Sequence, residues 1–323
     1  MIRSACAAVV MSAAAMVACA SGALAKDVRI ASHVSETSPL YATAQMFAER
    51  LGKAFPSEFN FKFYPNSQLG KEKALIDNIR LGSLEMAMVA GGVLALDNKL
   101  GLFDLPWLFT DREHVKRAMN GPLGVEVKKR LEEKQGFIVL GIYENGFRHV
   151  VNTKRPITMP EDLSGLKIRV TGSKFKLDGF SAMGADPVPI SWEETFTALQ
   201  QGVVDGVEAA LYGFYEAKLY EVTKHLSLVN HTYSPSFLLV SKSFWGGLTD
   251  EQRAIYLKVA TEMFDDAYKA AADLDKGFLD KMQDKIAVNA VNPKPFQAKA
   301  ESVYQAYIKE YGPEWVEFVR KAQ

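Results

Sequence analysis

The sequence predicts an α/β fold organised in about two domains, and three observations support this prediction. Segments with the period-two alternation of a strand are followed repeatedly by segments with the three- and four-residue spacing of an amphipathic helix. That order is typical of a mostly parallel sheet with helices on its faces. The chain has 323 residues, of which 48% are hydrophobic and 24% charged. This length suits about two domains of roughly 150 residues each, and the composition argues against disorder.

The first half of the chain predicts alternating strands and helices. The first helix begins at Ser38-Pro39, because proline is favoured in the first turn, where its missing N–H costs nothing. In order, we predict a strand at 28–31, a helix from 38, a strand at 59–63, a helix at 71–81, a strand at 85–89, helices at 111–119 and 123–134, and a strand at 136–143 that continues extended through 147–152. The segment 136–143 is the most apolar strand, so we expect it at the centre of the sheet.

The second half repeats this order. We predict a strand at 167–170, a helix at 174–183, a short strand at 186–190, a helix ending near 200, extended chain at 203–209, a strand at 236–240, one long helix at 249–285, either straight or bent, and a terminal helix at 301–321 interrupted near Gly312-Pro313. No Gly/Ser linker divides the chain. Two lobes without a linker imply that the chain crosses between them several times.

The N-terminus predicts an export signal. Arg3 is followed by an uncharged, small and apolar run over 5–20, and Ala23-Leu24-Ala25 matches the cleavage pattern of a secretory signal. The run is shorter than the roughly 20 residues that a membrane-spanning helix needs. We therefore expect residues 1–25 to be a signal peptide, cleaved after Ala25. Lipid attachment at Cys19 is the alternative.

Charge and cysteine content exclude several classes of protein. Basic and acidic residues number 38 each, whereas a nucleic-acid-binding protein needs a basic surface. Cys6 and Cys19 are the only cysteines, and both lie in the predicted signal peptide. The mature chain would then have no thiol nucleophile, no zinc–thiolate site and no disulfide.

Enzymatic motifs are absent from the sequence. There is no dinucleotide-binding or phosphate-binding glycine loop, no Gly-x-Ser-x-Gly turn and no pair of histidines four residues apart. We therefore expect neither an enzyme nor a bound cofactor or metal. An exported enzyme that uses carboxylates such as Asp178 and Glu208 remains the alternative of another class.

Two arginines suggest what the protein does. Arg169 lies within the predicted strand 167–170, and Arg148 lies in the extended segment after Asn145-Gly146. A guanidinium buried without a partner is costly, and its planar fork matches a carboxylate through two parallel hydrogen bonds. Each arginine is therefore a candidate for binding an acid. The plainer interpretation is a solvated strand end or an internal salt bridge.

Several longer segments resemble one family. They are "LYATAQMFAERLGKAF", "FYPNSQLGKEKALIDNIRLGSLEMAM", "NGFRHVVN", "DLSGLKIRV" and "GADPVPISWEETFTALQQGVVDGVEAALYGFYEAKLYEVTKHLSLVNH". Together they are similar to the solute-binding proteins of TRAP transporters, DctP type. The resemblance covers nearly all of the mature chain.

The resemblance implies a two-lobed periplasmic binding protein of the type II-like class. Each lobe would be a mixed sheet flanked by helices, with several crossovers that include a long helix. We expect lobe I at 26–147 plus about 235–274, and lobe II at 148–234 plus about 275–323. The protein would act as a periplasmic monomer, without nucleic acid, and deliver an organic acid to the small and large permease subunits. A ligand sensor for a receptor is a further alternative.

The resemblance also implies the site residues. Arg169 would pair with the ligand carboxylate, Arg148 would be the second basic contact, Trp192 would pack on the ligand, and His33 would be a polar contact. Where the family commonly has asparagine this chain has Ala209, and Glu208 beside it would take a supporting role. The remaining expected lining residues are Ala90, Gly91 and Tyr212.

The resemblance implies a C4-dicarboxylate as the usual solute. Small residues at 90, 91 and 209, and aromatic surface from Trp192, Tyr212, Phe147 and Phe214, favour a bulkier aromatic or keto acid instead. Both alternatives stay open from the sequence.

Overall fold

The computed structural model describes residues 25–323, and the predicted signal peptide with its cleavage site lies outside this range except for Ala25. Strands and helices alternate along the described chain, as the sequence predicted. The strands are β1 (Lys26–Ala31), β2 (Phe59–Tyr64), β3 (Met86–Val89), β4 (Phe137–Asn152), β5 (Lys167–Val170), β6 (Asp186–Pro189), β7 (Gly206–Ala210), β8 (His225–Leu228), β9 (Tyr233–Ser241) and β10 (Ala287–Ala290).

Most of the predicted helices begin and end close to the predicted positions. The helices are α1 (Pro39–Ala54), α2 (Glu72–Leu81), α3 (Arg112–Asn120), α4 (Pro122–Gln135), α5 (Lys174–Ala182), α6 (Thr195–Gln200), α7 (Leu211–Glu216), α8 (Lys242–Gly246), α9 (Asp250–Glu262), α10 (Phe264–Met282), α11 (Lys294–Tyr311) and α12 (Glu314–Lys321). The terminal helix begins at Lys294 rather than at 301, and the two short helices α7 and α8 were not predicted. Two longer 3₁₀ segments, Gly91–Leu96 and Asn98–Asp104, lie between β3 and α3.

The strands form a mixed sheet in the order β2-β1-β3-β9-β4-β7-β5-β6, with β8 beside the end of β4 and β10 beside β8. β1 runs parallel to β2 and β3, and β5 runs parallel to β6 and β7. β9 is antiparallel to β3 and β4, and β7 is antiparallel to β4. The architecture is the predicted α/β fold, with a mixed sheet on each side of one shared strand.

The shared strand is β4, which spans 16 residues. Its first part, from Phe137 to Phe147, pairs with β9, and its last part, from Arg148 to Asn152, pairs with β7 and β8. A register shift falls between Glu144 and Gly146. Gly146 has φ +131°, a backbone conformation that side chains rarely allow. The strand therefore changes its pairing partner where the two half-sheets meet.

The long predicted helix at 249–285 is divided at Met263 into α9 and α10. α10 packs on α1, β4 and α7, so it contacts elements on both sides of the strand crossing. The predicted interruption near Gly312 is confirmed, since α11 ends at Tyr311 and Gly312 has φ +79°.

The lobe boundaries stay a prediction. α12 packs against α3 and α4, and its Trp315, Val316 and Val319 are buried in the same apolar cluster as Val115 and Leu123. This packing favours placing α12 with the first lobe, although it follows residue 275.

Candidate functional site: a cavity where the two half-sheets meet

A cavity of about 600 Å³ lies where the two half-sheets meet. It is lined by residues at or just after the carboxyl ends of β1, β3, β5 and β7 and in the middle of β4. In α/β proteins with open sheets, ligands bind outside the carboxyl ends of the strands. The position of the cavity is therefore the one at which this fold class holds a ligand.

The predicted site residues converge on this cavity. His33 follows β1, Ala90 follows β3, Arg169 is the third residue of β5, and Ala209 is near the end of β7. The predicted residues that line the cavity are His33, Ala90, Gly91, Arg148, Arg169, Trp192, Ala209 and Tyr212. Glu208 does not line the cavity and lies behind Arg148, in agreement with a supporting position. Contact of any of these side chains with a ligand stays a prediction.

Arg169 is a buried cation that faces the cavity without a carboxylate partner. Its side chain and backbone are together 3% exposed. Nε donates a hydrogen bond to the carbonyl oxygen of Ile190 at 2.8 Å, and Cζ lies 5.3 Å from the ring centroid of Trp192. Within residues 25–323, no carboxylate oxygen lies within 4.0 Å of this guanidinium. Burial lowers the pKa of Arg169 to about 10, so the group stays charged at neutral pH.

Arg148, in contrast, is already paired. Its Nε and Nη2 bind the two carboxylate oxygens of Glu208, with Nη2 2.9 Å from Oε1, and Nη2 also donates to the Glu208 carbonyl oxygen at 3.0 Å. Burial alone would lower the pKa of Arg148, but Glu208 raises it. The two arginines are therefore not equivalent, because Arg148 has only Nη1 without a protein partner in the described chain.

Glu208 belongs to a buried cluster with balanced charge. Its Oε2 lies 3.5 Å from Lys176 Nζ and 3.4 Å from His231 Nε2, and Lys176 Nζ lies 2.9 Å from Asp104 Oδ1. Burial would raise the pKa of Glu208, but Arg148 and Lys176 hold it well below its ordinary value. Burial lowers the pKa of His231, so this ring is neutral at neutral pH. Two cations thus face two carboxylates, and the cluster carries no net charge.

Glu72 is a cavity residue that the sequence analysis missed. It is the first residue of α2, where an acidic side chain is common on an exposed surface. Here its Oε1 accepts a hydrogen bond from the Ala90 backbone N–H at 2.6 Å, and its Oε2 lies 4.0 Å from His33 Nε2. A Cβ at Gly92 would lie 2.7 Å from Glu72 Cδ, so a larger residue there would displace the Glu72 side chain. The adjacent glycines Gly91-Gly92 were the available signal.

A second missed residue is Asn145. The Tyr212 hydroxyl donates to Asn145 Oδ1 at 2.7 Å, and Asn145 Nδ2 donates to Ser234 Oγ at 2.8 Å. All three residues are buried and line the cavity. The Tyr212 side chain is therefore held at the cavity wall through its hydroxyl group.

The aromatic surface is smaller than the sequence suggested. Phe147 is buried against Tyr233, with ring centroids 5.3 Å apart, and Phe214 is fully buried; neither lines the cavity. The expectation for these two residues was wrong, because Phe147 alternates with Arg148 along β4 and so points to the opposite face. Trp192 lies in a 3₁₀ turn and packs on Gly213, where a Cβ would be 3.1 Å from its ring.

Two further properties hold for residues 25–323. No helix there combines the length and apolarity needed to cross a bilayer. No group of three or more His, Cys, Asp or Glu side chains is arranged there to hold a metal ion.

Comparisons with known proteins agree with this fold. Residues 30–310 match the family model DctP, described as bacterial extracellular solute-binding protein, family 7. The 2,3-diketo-L-gulonate-binding periplasmic protein YiaO of Escherichia coli K12 is 33% identical, over 80% of this chain and 79% of its own length. The C4-dicarboxylate-binding periplasmic protein DctP of Rhodobacter capsulatus is 33% identical, over 78% of this chain and 75% of its own length.

A solved structure extends the similarity to the whole architecture. The TRAP periplasmic solute-binding protein from Polaromonas sp. JS666 bound to D-erythronate has a TM-score of 0.86 and 30% identity, covering 91% of this chain and 98% of that chain. The match to the family model covers most of the chain, and the similarity to the solved structure extends over nearly all of both chains. The chain therefore belongs to the DctP family of bacterial extracellular solute-binding proteins, the solute-binding proteins of TRAP transporters.

Proposed function

We propose that this protein captures a hydroxylated monocarboxylic acid, a sugar acid, in the cavity between its lobes and delivers it to a TRAP permease in the membrane. One observation carries the ligand class: the cavity presents a buried guanidinium without a carboxylate partner, that of Arg169, and a half-buried carboxylate, that of Glu72. Outside the cluster around Glu208, the other charged lining residues are either paired with each other, as Asp77 is with Lys73 and Arg80, or exposed to solvent, as Lys71 and Glu193 are. Since the cluster behind Arg148 is neutral, a ligand with a single negative charge complements the cavity.

Each group has a distinct role in this proposal. Arg169 has Nη1 and Nη2 available for a ligand carboxylate, and Trp192 stacks near the guanidinium and limits its motion. Glu72 is a hydrogen-bond acceptor, which suits ligand hydroxyl groups and disfavours a second carboxylate. Asn145 and Ser234 add polar atoms on β4 and β9.

Closure follows from ligand contact with both half-sheets. Arg169 and Trp192 belong to the β5 side, whereas Glu72 and His33 belong to the β1 side. A ligand that contacts both sides favours the closed form by its differential affinity for that form. Delivery of the closed complex to the permease is part of the proposal.

The relatives support the ligand class unequally. The Escherichia coli relative is named for 2,3-diketo-L-gulonate and the Polaromonas structure holds D-erythronate, both hydroxylated monocarboxylates. The Rhodobacter relative is named for C4-dicarboxylates. The half-buried Trp192 ring also leaves an aromatic or keto acid as the second candidate.

The test is a thermal-shift screen with the purified mature chain, followed by calorimetry. The panel contains D-erythronate, D-galactonate, L-gulonate, succinate, malate and phenylpyruvate. A ligand at 100 times its Kd stabilises the protein by about 2.7 kcal/mol, which gives a clear shift in Tm. We expect the largest shift in Tm from one of the aldonates, the hydroxylated monocarboxylates D-erythronate, D-galactonate and L-gulonate. Tighter binding of succinate, or of phenylpyruvate with a selective loss in Trp192→Ala, would overturn the ligand class.

A second arm tests the transport role. Deleting the gene in its source bacterium should abolish growth on the acid that binds. Recovery of a chemically changed acid after incubation with the protein would instead favour an enzyme.

A further inference from the structure

Asp104 is a buried carboxylate close to the cavity but outside its lining. It is the last residue of the 3₁₀ segment Asn98–Asp104 and is 2% exposed. Its Oδ1 lies 2.9 Å from Lys176 Nζ, and its Oδ2 is buried without a hydrogen-bond partner in the described chain. Lys176 does line the cavity and is 3% exposed. Asp104 therefore does not contact a ligand in the cavity, and its nearest route to one is through Lys176.

Lys176 is held in place by the packing of its helix. Its neighbour Phe175 lies over Gly101, where a Cβ would be 2.3 Å from the Phe175 ring, and Gly179 lies against Pro106. α5 is thus pressed onto the segment that carries Asp104. Because Lys176 is buried, the charge of its ammonium group has to be compensated locally.

The pairing assigns one carboxylate to each cation of the cluster. Arg148 is paired with Glu208 through its fork, and Lys176 is paired with Asp104 at the shorter of its two carboxylate distances. Without the Asp104 charge, Arg148 and Lys176 would share Glu208 alone. The wall of the cavity would then carry one additional positive charge beside that of Arg169.

We propose that Asp104 is a specificity-determining positioning residue, which neutralises Lys176 and thereby limits the ligand to a single negative charge. This inference rests on the proposed binding of a monocarboxylate. Without the Asp104 charge, Lys176 would be a buried cation facing the cavity, and a second carboxylate on the ligand would supply the missing partner.

The experiment compares acids that differ only in the second carboxylate. D-erythronate is paired with meso-tartrate, and D-galactonate with galactarate, and calorimetry gives the ratio of dicarboxylate to monocarboxylate affinity. In Asp104→Asn we expect this ratio to rise by at least about tenfold, since a full charge in a buried wall acts strongly on a second carboxylate. In Lys176→Met the ratio should fall, because Asp104 and Glu208 then leave the wall negative.

Two further variants separate charge from structural damage. The double variant Asp104→Asn/Lys176→Met restores a neutral wall, so its ratio should return close to that of the wild type. Asp178→Asn is the matched control, because Asp178 is on the same helix, is paired with Lys174 at 2.8 Å and has a side chain that is 43% exposed. Its ratio should not change, since solvent screens an exposed charge.

The outcomes distinguish this inference from the proposed function. If the wild-type protein binds no aldonate, the proposed ligand class is wrong before any variant is compared. If the wild type binds an aldonate but folded Asp104→Asn keeps the wild-type ratio, only the role of Asp104 is wrong. If Asp104→Asn does not fold, the test uses the double variant Asp104→Asn/Lys176→Met. The inference would be overturned if its ratio of dicarboxylate to monocarboxylate affinity equalled that of Lys176→Met alone.

Discussion

At the residue scale, the feature that dominates is one uncompensated guanidinium. A charged residue on an inner strand is unusual, and Arg169 is stable there because Ile190 accepts one hydrogen bond and Trp192 lies near its face. Arg148 looked equivalent in the sequence, but its Nε and Nη2 are both paired with the Glu208 carboxylate. The difference depends on which residues are neighbours across β4 and β7, which a sequence pattern does not contain.

Removing this guanidinium should abolish binding. We expect Arg169→Ala to weaken aldonate affinity by about 100-fold or more, the cost of removing one partner of a buried charged pair. Arg169→Lys should lose about tenfold, because an ammonium group cannot form the planar fork. Calorimetry measures both values. Lys167→Ala, two residues earlier on β5 and exposed, is the control and should change affinity by less than about fivefold; an equal loss there would contradict the role of Arg169.

Glu72 should set the preference for hydroxyl groups. Glu72→Gln keeps an acceptor for the Ala90 N–H but removes the negative charge. We expect the ratio of succinate to aldonate affinity to shift by about tenfold toward succinate, because repulsion of the second carboxylate is lost. Competition calorimetry measures this ratio. A loss of both affinities by the same factor would show that Glu72 only holds the loop at Ala90.

At this scale the sequence located eight of the residues that line the cavity but not the way in which their charges are paired. The residues near the ends of β1, β3 and β7 were predicted from the family resemblance, whereas Arg169 stood out by itself as a charge within a predicted inner strand. Glu72 and Asn145 were missed because a first-turn glutamate and an asparagine before glycine are both common in ordinary solvated positions.

At the element scale, the contact between α5 and the segment Asn98–Asp104 joins parts of the chain that are far apart in sequence. Gly101 allows this contact, since Phe175 occupies the space of its missing side chain. The sequence predicted α5 closely, at 174–183 against Lys174–Ala182. It predicted neither the 3₁₀ segments nor the short edge strands β8 and β10, which exist mainly because they pair with each other and with β4.

Filling the space at Gly101 should separate these elements. We expect Gly101→Ala to lower the free energy of unfolding by about 1–3 kcal/mol, the usual cost of overpacking a core. Gly277→Ala is the matched control, because nothing lies within 4 Å of a Cβ at that position in α10, and alanine should stabilise the helix by about 0.5–1 kcal/mol. Urea unfolding measures both. If Gly101→Ala were as stable as the wild type, α5 could shift away from the segment Asn98–Asp104 without loss of stability, and the prediction would be wrong.

At the scale of the whole molecule, a buried group near the strand crossing links stability to pH. Arg112, on α3, contacts Glu144 on β4 at 2.7 Å and also pairs with Asp275 on α10. One guanidinium thus serves two buried carboxylates, each with one oxygen that has no hydrogen-bond partner in the described chain. Burial raises the pKa of Glu144 from 4.5 to about 7, and burial also raises the pKa of Asp275.

The raised pKa of Glu144 makes the folded protein less stable as the pH rises. Between pH 4.5 and about 7 the folded protein holds a proton on Glu144 that the unfolded chain has released, so this group's contribution to stability is lost as pH rises through that interval. Glutamine resembles the protonated side chain. We therefore expect Glu144→Gln to raise the free energy of unfolding at pH 8 by about 1–3 kcal/mol and to change it much less at pH 5.

Urea unfolding at the two pH values provides the measurement. Glu113→Gln is the control, because that carboxylate is also on α3 beside Arg112 but its side chain is 69% exposed. A gain in Glu144→Gln that is the same at pH 5 and pH 8 would contradict ionisation of this group as its cause.

One strand serves both halves of this molecule, and that limits how the protein can be divided. β4 supplies hydrogen-bonding edges to β9 before Arg148 and to β7 and β8 from Arg148 onward. If the gene were cut between the codons for Phe147 and Arg148, β4 would be divided. One half-sheet would keep only the first part of β4, and the other would lack that part. Neither half would be expected to fold by itself, so shuffling of this gene during evolution would have to exchange both halves together.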